Sequence, residues 1–353
     1  MKSPSITIAG RDIGAGKPCL VIAEVSANHH QNYEEAEAII RAAKEAGADA
    51  IKLQTYTPDT MTLDMTGGEF NIVDKASLWN GKSLYQLYGE AHTPWPWHRA
   101  IFDRCRDRGL IGFSTPFDAS AVEFLEKLNV PASKVASFEC TDVPLVRRIA
   151  ATGKPMIIST GMARAAELDE TVRACRAHGC RDLILLKCTS SYPASPENTN
   201  LRTIPHMRDL FDVQVGLSDH TVGFGVATAA VAFGATLIEK HVTLNRADGG
   251  PDAAFSAEPS ELRMLVAEVR RAWQGLGRVH YGPTEGEKRS LQFRRSLYVV
   301  KDVAAGEMLS SENVRAIRPG SGLEPKYYDQ VLGRRAAHDL AKGTALKWEL
   351  LAD

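Results

Sequence analysis

A (β/α)8 TIM barrel followed by a small β-rich domain is the fold this chain predicts, on three observations. A short apolar run followed by a helix-length stretch recurs eight times within about 275 residues. Each apolar run ends in polar residues, as strands do at the C-terminal face of such a barrel. After Gly277 the texture changes to a polar linker and a compact, turn-rich piece. The division is therefore a barrel with an N-terminal hairpin over residues 1–277, a linker over 278–293 and a small domain over 294–353. A doubly wound open sheet is the structural alternative. Eight units, and no Gly-rich dinucleotide loop after the first strand, favour the barrel.

Taken in order, Ile6 to Lys17 read as a hairpin with Gly10-Arg-Asp and Gly14-Ala-Gly as turns. Cys19–Ala23 is the first barrel strand and leads to Glu24, Ser26, Asn28 and His29. Tyr33–Ala46 is a helix: Ala36, Ile39, Ile40 and Ala43 form an i, i+3, i+4, i+7 stripe, and Gly47 stops it. Ala50–Gln54 is strand two, with Lys52 and Gln54 on one face by period-two alternation. Residues 55–93 form a long excursion rich in aromatics, among them Tyr56, Trp79, Tyr85 and Tyr88. Pro94 opens the next helix, which runs to Arg108. Strands three to eight are Gly112–Thr115, Lys134–Ser137, Pro155–Thr160, Leu183–Cys188, Val213–Leu217 and Ala235–Ile238. Helix-length segments follow them near Ala119–Leu128, Val143–Ala151, Ala165–Ala177, Leu201–Asp209, Gly223–Phe233 and Pro259–Leu276. In the last domain a D-x-x-x-G-x-x-L phrase occurs twice, at Asp302–Leu309 and Asp339–Leu346.

The composition narrows the function. The chain has 353 residues, 44% hydrophobic and 24% charged, with a net charge of -1 and no long basic run. Nucleic acid is therefore not an expected partner, and an anion would be bound by local lysines. No window approaches a membrane span or a signal-peptide core, so no membrane partner and a cytoplasmic location are expected. The six scattered cysteines contain no C-x-x-C pair, which excludes a zinc ribbon and a disulfide framework.

Chemistry is expected at the strand ends. The last two strands lead to His220 and to Glu239, Lys240 and His241. Neighbouring exits lie side by side, so the two imidazoles can share one metal ion; separate structural histidines are the alternative. Lys52 and Lys134 point into the mouth, and Thr115, Ser137, Ser159 and Ser218 are hydroxyl donors beside them. Charge plus directional donors suits a phosphate or carboxylate; helix capping is the plainer role for each hydroxyl. Glu24, Glu139 and Glu239 are acids at the same face, as lysine counter-ions or general bases.

These residues sit in longer phrases: Ala23–His29, Ala48–Gln54, Phe113–Asp118, Lys134–Glu139, Ile158–Met162, Cys188–Pro193, Gly216–Thr221, Glu239–Thr243 and Gly250–Asp252. In order and spacing they resemble the sialic acid synthase family, and the tail with Arg318–Gly322 resembles its antifreeze-like (SAF, β-clip) domain. Ser26–His29, Gln54–Thr60, Ser77–Tyr85, Thr93–Trp97, Ala136–Glu139 and Gly249–Ser256 look most like the pseudaminic acid synthase branch. Two positions depart from pattern: Ser190 stands where the N-acetylneuraminate branch has Asn, and His30 where Asn or Gly is expected.

The resemblance implies a transferase that condenses phosphoenolpyruvate (PEP) with 2,4-diacetamido-2,4,6-trideoxy-L-altrose and water. The products are pseudaminic acid and phosphate, with phosphate leaving by C–O cleavage. It implies a divalent metal on His220 and His241, Mn²⁺ first, with Mg²⁺ or Co²⁺ as alternatives. Lys52, Gln54, Thr115, Lys134, Ser137, Ser159, Ser190 and Ser218 match PEP-binding positions. Glu24, Lys52, Glu139 and Glu239 are the implied catalytic set. Tyr56, Tyr192 and Asp252 fall to the sugar, as does Arg318 from the partner subunit of a domain-swapped homodimer. Tyr56, Trp79 or Tyr85 is expected to meet the C6 methyl of this 6-deoxy diacetamido hexose. The alternatives are an N-acetylneuraminate or legionaminic acid synthase, a carbohydrate-binding protein with an inactive barrel, and an aldolase with Lys187 as Schiff-base lysine.

Overall fold

The computed structural model describes residues 5–75 and 77–352. Two short antiparallel strands, β1 (Ile6–Ile8) and β2 (Arg11–Ile13), form the expected hairpin. Eight parallel strands then close into a barrel: β3 (Leu20–Glu24), β4 (Ala50–Thr55), β5 (Ile111–Pro116), β6 (Ser133–Val135), β7 (Met156–Ser159), β8 (Leu183–Cys188), β9 (Gln214–Asp219) and β10 (Leu237–His241). Neighbours in sequence are neighbours in space, and β10 closes on β3 with His241 opposite Glu24.

The first helix, Tyr33–Ala46, shows how local chemistry sets the elements. Asn32 caps it by accepting the N–H groups of Glu34 and Glu35, and Gly47 ends it at φ 90. Ala36, Ile39, Ile40 and Ala43 are buried on its inner face, as the spacing predicts.

Element edges differ from expectation where local sequence is ambiguous. The strand expected over Lys134–Ser137 is Ser133–Val135, so Ser137 lies in the following loop. The last strand is not Ala235–Ile238 but runs on through Glu239 and Lys240 to His241. Its polar residues are therefore strand residues with a defined facing, not loop residues. The helix expected from Pro94 starts at Trp97, with Pro96 as its N-cap. Among the described residues the excursion over residues 55–93 holds two short α-helices, Pro58–Met61 and Leu84–Ala91, and one 3-10 turn, Gly68–Phe70. Among the described residues no helix is long and apolar enough to cross a membrane. All six cysteines are buried and free.

The chain divides after Gly277 into two compact units. The second has its own small core of Leu297, Val299, Val303, Leu309, Val314, Val331, Leu340 and Leu346. Its repeated phrase is a structural pseudo-repeat. Val303 and Leu340 exchange backbone hydrogen bonds of 2.9 and 2.8 Å. Asp302 accepts from the Lys342 N–H and Asp339 from the Ala305 N–H, both at 2.7 Å. Each aspartate caps the turn that the other copy makes.

Candidate active site at the barrel mouth

The inward-facing residues of the strands converge on a cavity of about 230 Å³. Period-two alternation selects them: Lys52 and Gln54 from β4, Lys134 from β6, Ser159 from β7, Ser218 from β9, Glu239 and His241 from β10. Their neighbours face away. Lys240 pairs instead with Asp219 at 2.8 Å, both buried behind the strands.

The floor is a buried cluster of alternating charge. Lys52 Nζ lies 2.7 Å from Glu24 Oε2 and 3.6 Å from Glu239 Oε1, and donates to Thr115 Oγ1 at 3.3 Å. Lys134 Nζ lies 3.5 Å from the same Glu239 oxygen and donates to Ser159 Oγ at 2.7 Å. Ser218 also donates to Glu239, at 3.1 Å. Glu24 and Thr115 are thus behind Lys52 and do not line the cavity themselves. Gln54 Nε2 donates to Glu24 Oε1 at 3.1 Å and to Ser26 Oγ at 3.0 Å. Ser190 donates to Ser137, which lines the cavity, at 2.8 Å. Gly161 packs so closely that a Cβ there would sit 2.5 Å from Ser137 Cβ.

Burial and pairing push these groups apart electrostatically. For Lys52, burial favours the neutral amine, but Glu239 and Glu24 outweigh it and hold the ammonium above its ordinary value. For Lys134, burial wins and the ammonium is lowered, with Glu239 offsetting part of it. Burial raises the Glu24 carboxyl despite Lys52. Glu239 is lowered: burial opposes ionisation, and Lys134 and Lys52 overcome it. Two carboxyls at one site with opposite shifts is the pattern of an acid and a base with separate tasks.

The two histidines stand side by side, with ring centroids 5.2 Å apart. His220 Nδ1 donates to the Thr189 carbonyl at 2.9 Å, which leaves its Nε2 lone pair free. Burial, then His220 and Lys52, keep His241 neutral, and its buried Nδ1 has no hydrogen-bond partner among the described residues. Asp252 Oδ2 is 3.8 Å from that nitrogen. Buried Oε2 atoms of Glu239 and Glu139 also lack partners among the described residues. Two adjacent imidazoles and spare carboxylate oxygens fit a divalent ion. Among the described residues no set of three or more His, Cys, Asp or Glu is arranged to hold one alone. The donor set therefore suits an ion whose shell is completed by substrate and water, not a closed structural site.

The opposite wall is apolar and comes largely from the excursion. Tyr56 and Trp79 line it, with Met61, Leu87, Tyr88, Ala91 and Phe117. The expectation for Tyr85 fails: its hydroxyl donates to Asp59 at 3.1 Å and it does not line the cavity. One turn of the Leu84–Ala91 helix sends Leu87, Tyr88 and Ala91 inward and leaves Tyr85 off that face. Leu87, Ala91, Met61 and Phe117 were not singled out from sequence. They are ordinary core-type residues, and only the helix's packing against the mouth distinguishes them. Tyr192 lies 4.6 Å from the His220 ring and 6.0 Å from Trp79, joining the two walls. Lys187, by contrast, faces away from the cavity and donates to the Cys188 carbonyl at 2.6 Å, which removes the Schiff-base candidate. Arg318 is exposed in the second unit.

Residues 39–281 match the NeuB family and residues 294–352 match the SAF domain. The chain is 44% identical over 331 residues to a pseudaminic acid synthase of Campylobacter jejuni, covering 94% of this chain and 96% of that one. It is 41% identical to the pseudaminic acid synthase of Helicobacter pylori, covering 94% and 97%. Among solved structures, the N-acetylneuraminic acid (sialic acid) synthetase of Leptospira borgpetersenii matches at 31% identity and a TM-score of 0.73, covering 83% of this chain and 97% of that one.

Proposed function

The chain belongs to the NeuB family of synthases, and we propose that it is an enzyme that makes pseudaminic acid. PEP, 2,4-diacetamido-2,4,6-trideoxy-L-altrose and water are its substrates; the nine-carbon 2-keto acid and phosphate are its products. The observation that carries this reading is the cavity itself. One wall holds two lysines around Glu239 and two adjacent imidazoles; the other is the apolar surface of the excursion. A 6-deoxy sugar with two acetamido groups presents methyl groups to such a wall. The likeness to the Campylobacter and Helicobacter enzymes supports the same branch.

In this reading Lys52 and Lys134 hold the anionic ends of PEP, with Ser137, Ser159 and Ser218 as directional donors, and Thr115 braces Lys52 from behind. Ser190 braces Ser137. His220 and His241 would hold a divalent ion, Mn²⁺ first, which supplies Lewis-acid polarisation of the aldehyde. Lys52 and Lys134 keep C3 of PEP in line with the aldehyde carbon as the C2=C3 electron pair forms the new bond. Glu24, with its raised pKa and behind Lys52, exchanges the proton of the aldehyde oxygen through the Lys52 ammonium 2.7 Å away. Glu239, with its lowered pKa, takes the proton of the water that adds at C2. Lys134 then stabilises the phosphate as the C2–O bond breaks with its electron pair, while the C2 hydroxyl closes to the ketone and gives its proton to the departing phosphate. Asp252, Glu139, Tyr192 and Tyr56 orient the sugar. Arg318 would complete the site from the partner subunit in a domain-swapped homodimer.

The test is PEP-dependent phosphate release with Mn²⁺, comparing the diacetamido altrose with N-acetylmannosamine, each with and without EDTA. Release with the altrose alone, abolished by chelation, is expected. Release with N-acetylmannosamine in preference overturns the acceptor assignment. Release that survives exhaustive chelation overturns the metal.

A further inference from the structure

We infer that His30 is a positioning residue for the acceptor sugar: its imidazole clamps the loop over residues 249–252, which carries Asp252 at the cavity. This rests on the proposed function for what the loop does, but the clamp itself stands on geometry. His30 Nδ1 lies 2.8 Å from Glu35 Oε1, and Nε2 lies 2.9 Å from the Gly249 carbonyl. Both partners are acceptors, so only an imidazolium donates to both. Glu35 sits in the first turn of the Tyr33–Ala46 helix, a rigid base for the clamp.

The loop needs such a tether. Gly249 and Gly250 have φ 79 and 108, a conformation that favours glycine and gives the segment little stiffness of its own. A Cβ on Gly250 would lie 2.7 Å from His30 Nε2, so the ring is pressed against bare backbone. Beyond these glycines the loop is committed to the site. The Pro251 carbonyl accepts from Trp79 Nε1 at 2.8 Å, and Asp252 accepts from Ser26. Pro251 and Asp252 both line the cavity.

The charges facing His30 are Glu35 on the helix, Asp248 on the loop and His29 beside it in its own loop. Burial disfavours its charge; the Gly249 carbonyl, Glu35 and Asp248 outweigh burial, and the pKa is raised above 6.5. Deprotonation would leave Nδ1–H on the stronger acceptor, the Glu35 carboxylate. The Nε2 lone pair would then face the lone pairs of Gly249, and the clamp opens.

Two measurements on the full-length protein test this. Hydrogen–deuterium exchange needs no substrate: in His30→Ala, protection of amides over residues 246–256 is expected to fall about tenfold at pH 6.5. Unchanged protection overturns the clamp. In turnover, His30→Ala raises the KM for the sugar about tenfold while kcat and the PEP KM stay within about threefold. A loss confined to kcat overturns the positioning role. Wild-type sugar KM rises with pH as His30 deprotonates; Glu35→Gln moves that rise to lower pH, and His30→Ala abolishes it. A wild-type pH profile retained in His30→Ala sinks the inference. A chain that condenses neither sugar defeats the proposed function instead, and exchange alone then decides the clamp.

Discussion

Two buried lysine–carboxylate pairs lie on neighbouring strands and differ in almost everything else. Lys240 and Asp219 face outward from β10 and β9, 2.8 Å apart and with side chains 2% and 0% exposed. Every contact there is closed: Asp219 also accepts from the N–H and hydroxyl of Thr221, and Lys240 also donates to the Thr221 carbonyl. Lys52 and Glu24 face inward, 2.7 Å apart and equally buried. Their neighbourhood is left open. Among the described residues Glu239 serves two lysines with one oxygen and leaves the other without a hydrogen-bond partner, and His241 Nδ1 has none. A satisfied buried pair is a structural device, whereas a half-satisfied cluster around a cavity is a binding site in wait for charge. One residue of strand register separates the two roles.

The largest expected effect breaks the inner cluster. Lys134→Met should lower kcat/KM at least about 10³-fold, roughly 4 kcal/mol. Its denaturation midpoint should barely move, because Lys52 still faces Glu239. Near-normal turnover in steady-state assays would erase the distinction drawn between the two pairs. Lys240→Met should do the reverse. Stranding Asp219 costs about 3–5 kcal/mol in urea unfolding, while kcat/KM per folded molecule stays within about threefold. An equal loss of activity would mean that the outer pair belongs to the site.

A third prediction concerns a buried polar contact with no role in chemistry. His98 Nε2 meets Thr55 Oγ1 at 2.8 Å, and burial lowers its pKa to about 4. Its ordinary value is 6.5, so between about 6.5 and 4 the unfolded chain binds a proton that the folded chain refuses. Stability therefore falls as pH falls through that window, by about 3 kcal/mol for this group near pH 4. Melting curves of wild type and His98→Gln from pH 7 to 4.5 should converge at low pH. Parallel curves would assign the acid loss elsewhere; His29, also held at about 4 by burial, is next. The smallest effect separates two aromatics of the excursion. Trp79→Phe should raise the sugar KM severalfold by freeing Pro251, and Tyr85→Ala should leave it within about twofold. Equal effects would mean that the cavity wall extends to Tyr85.

Much of the site was legible in the chain. Lys52 and Gln54, two apart on a short apolar run, had to share a face, and both line the cavity. His220 and His241, one helix apart at successive strand ends, had to be neighbours once the barrel closed. What resisted reading was of two kinds. Strand ends drifted because polar residues such as Glu239 are equally at home in a loop or on an inward strand face. The apolar wall stayed hidden because Met61, Leu87, Ala91 and Phe117 come from separate segments and carry no chemical signature. Nor does the spacing of His30 from Gly249 announce a contact between residues 219 positions apart.

By itself the sequence determined the barrel, its eight polar exits and the inward set of lysines, hydroxyls and imidazoles. Local periodicity is enough for that, since a strand alternates whatever surrounds it. Only the tertiary structure decided which charged pairs are closed and which are open, which ring of the excursion meets the cavity, and which loop His30 holds. Those depend on distances between segments far apart in the chain, and hydrogen bonds and buried charges change sign of effect over an ångström or two.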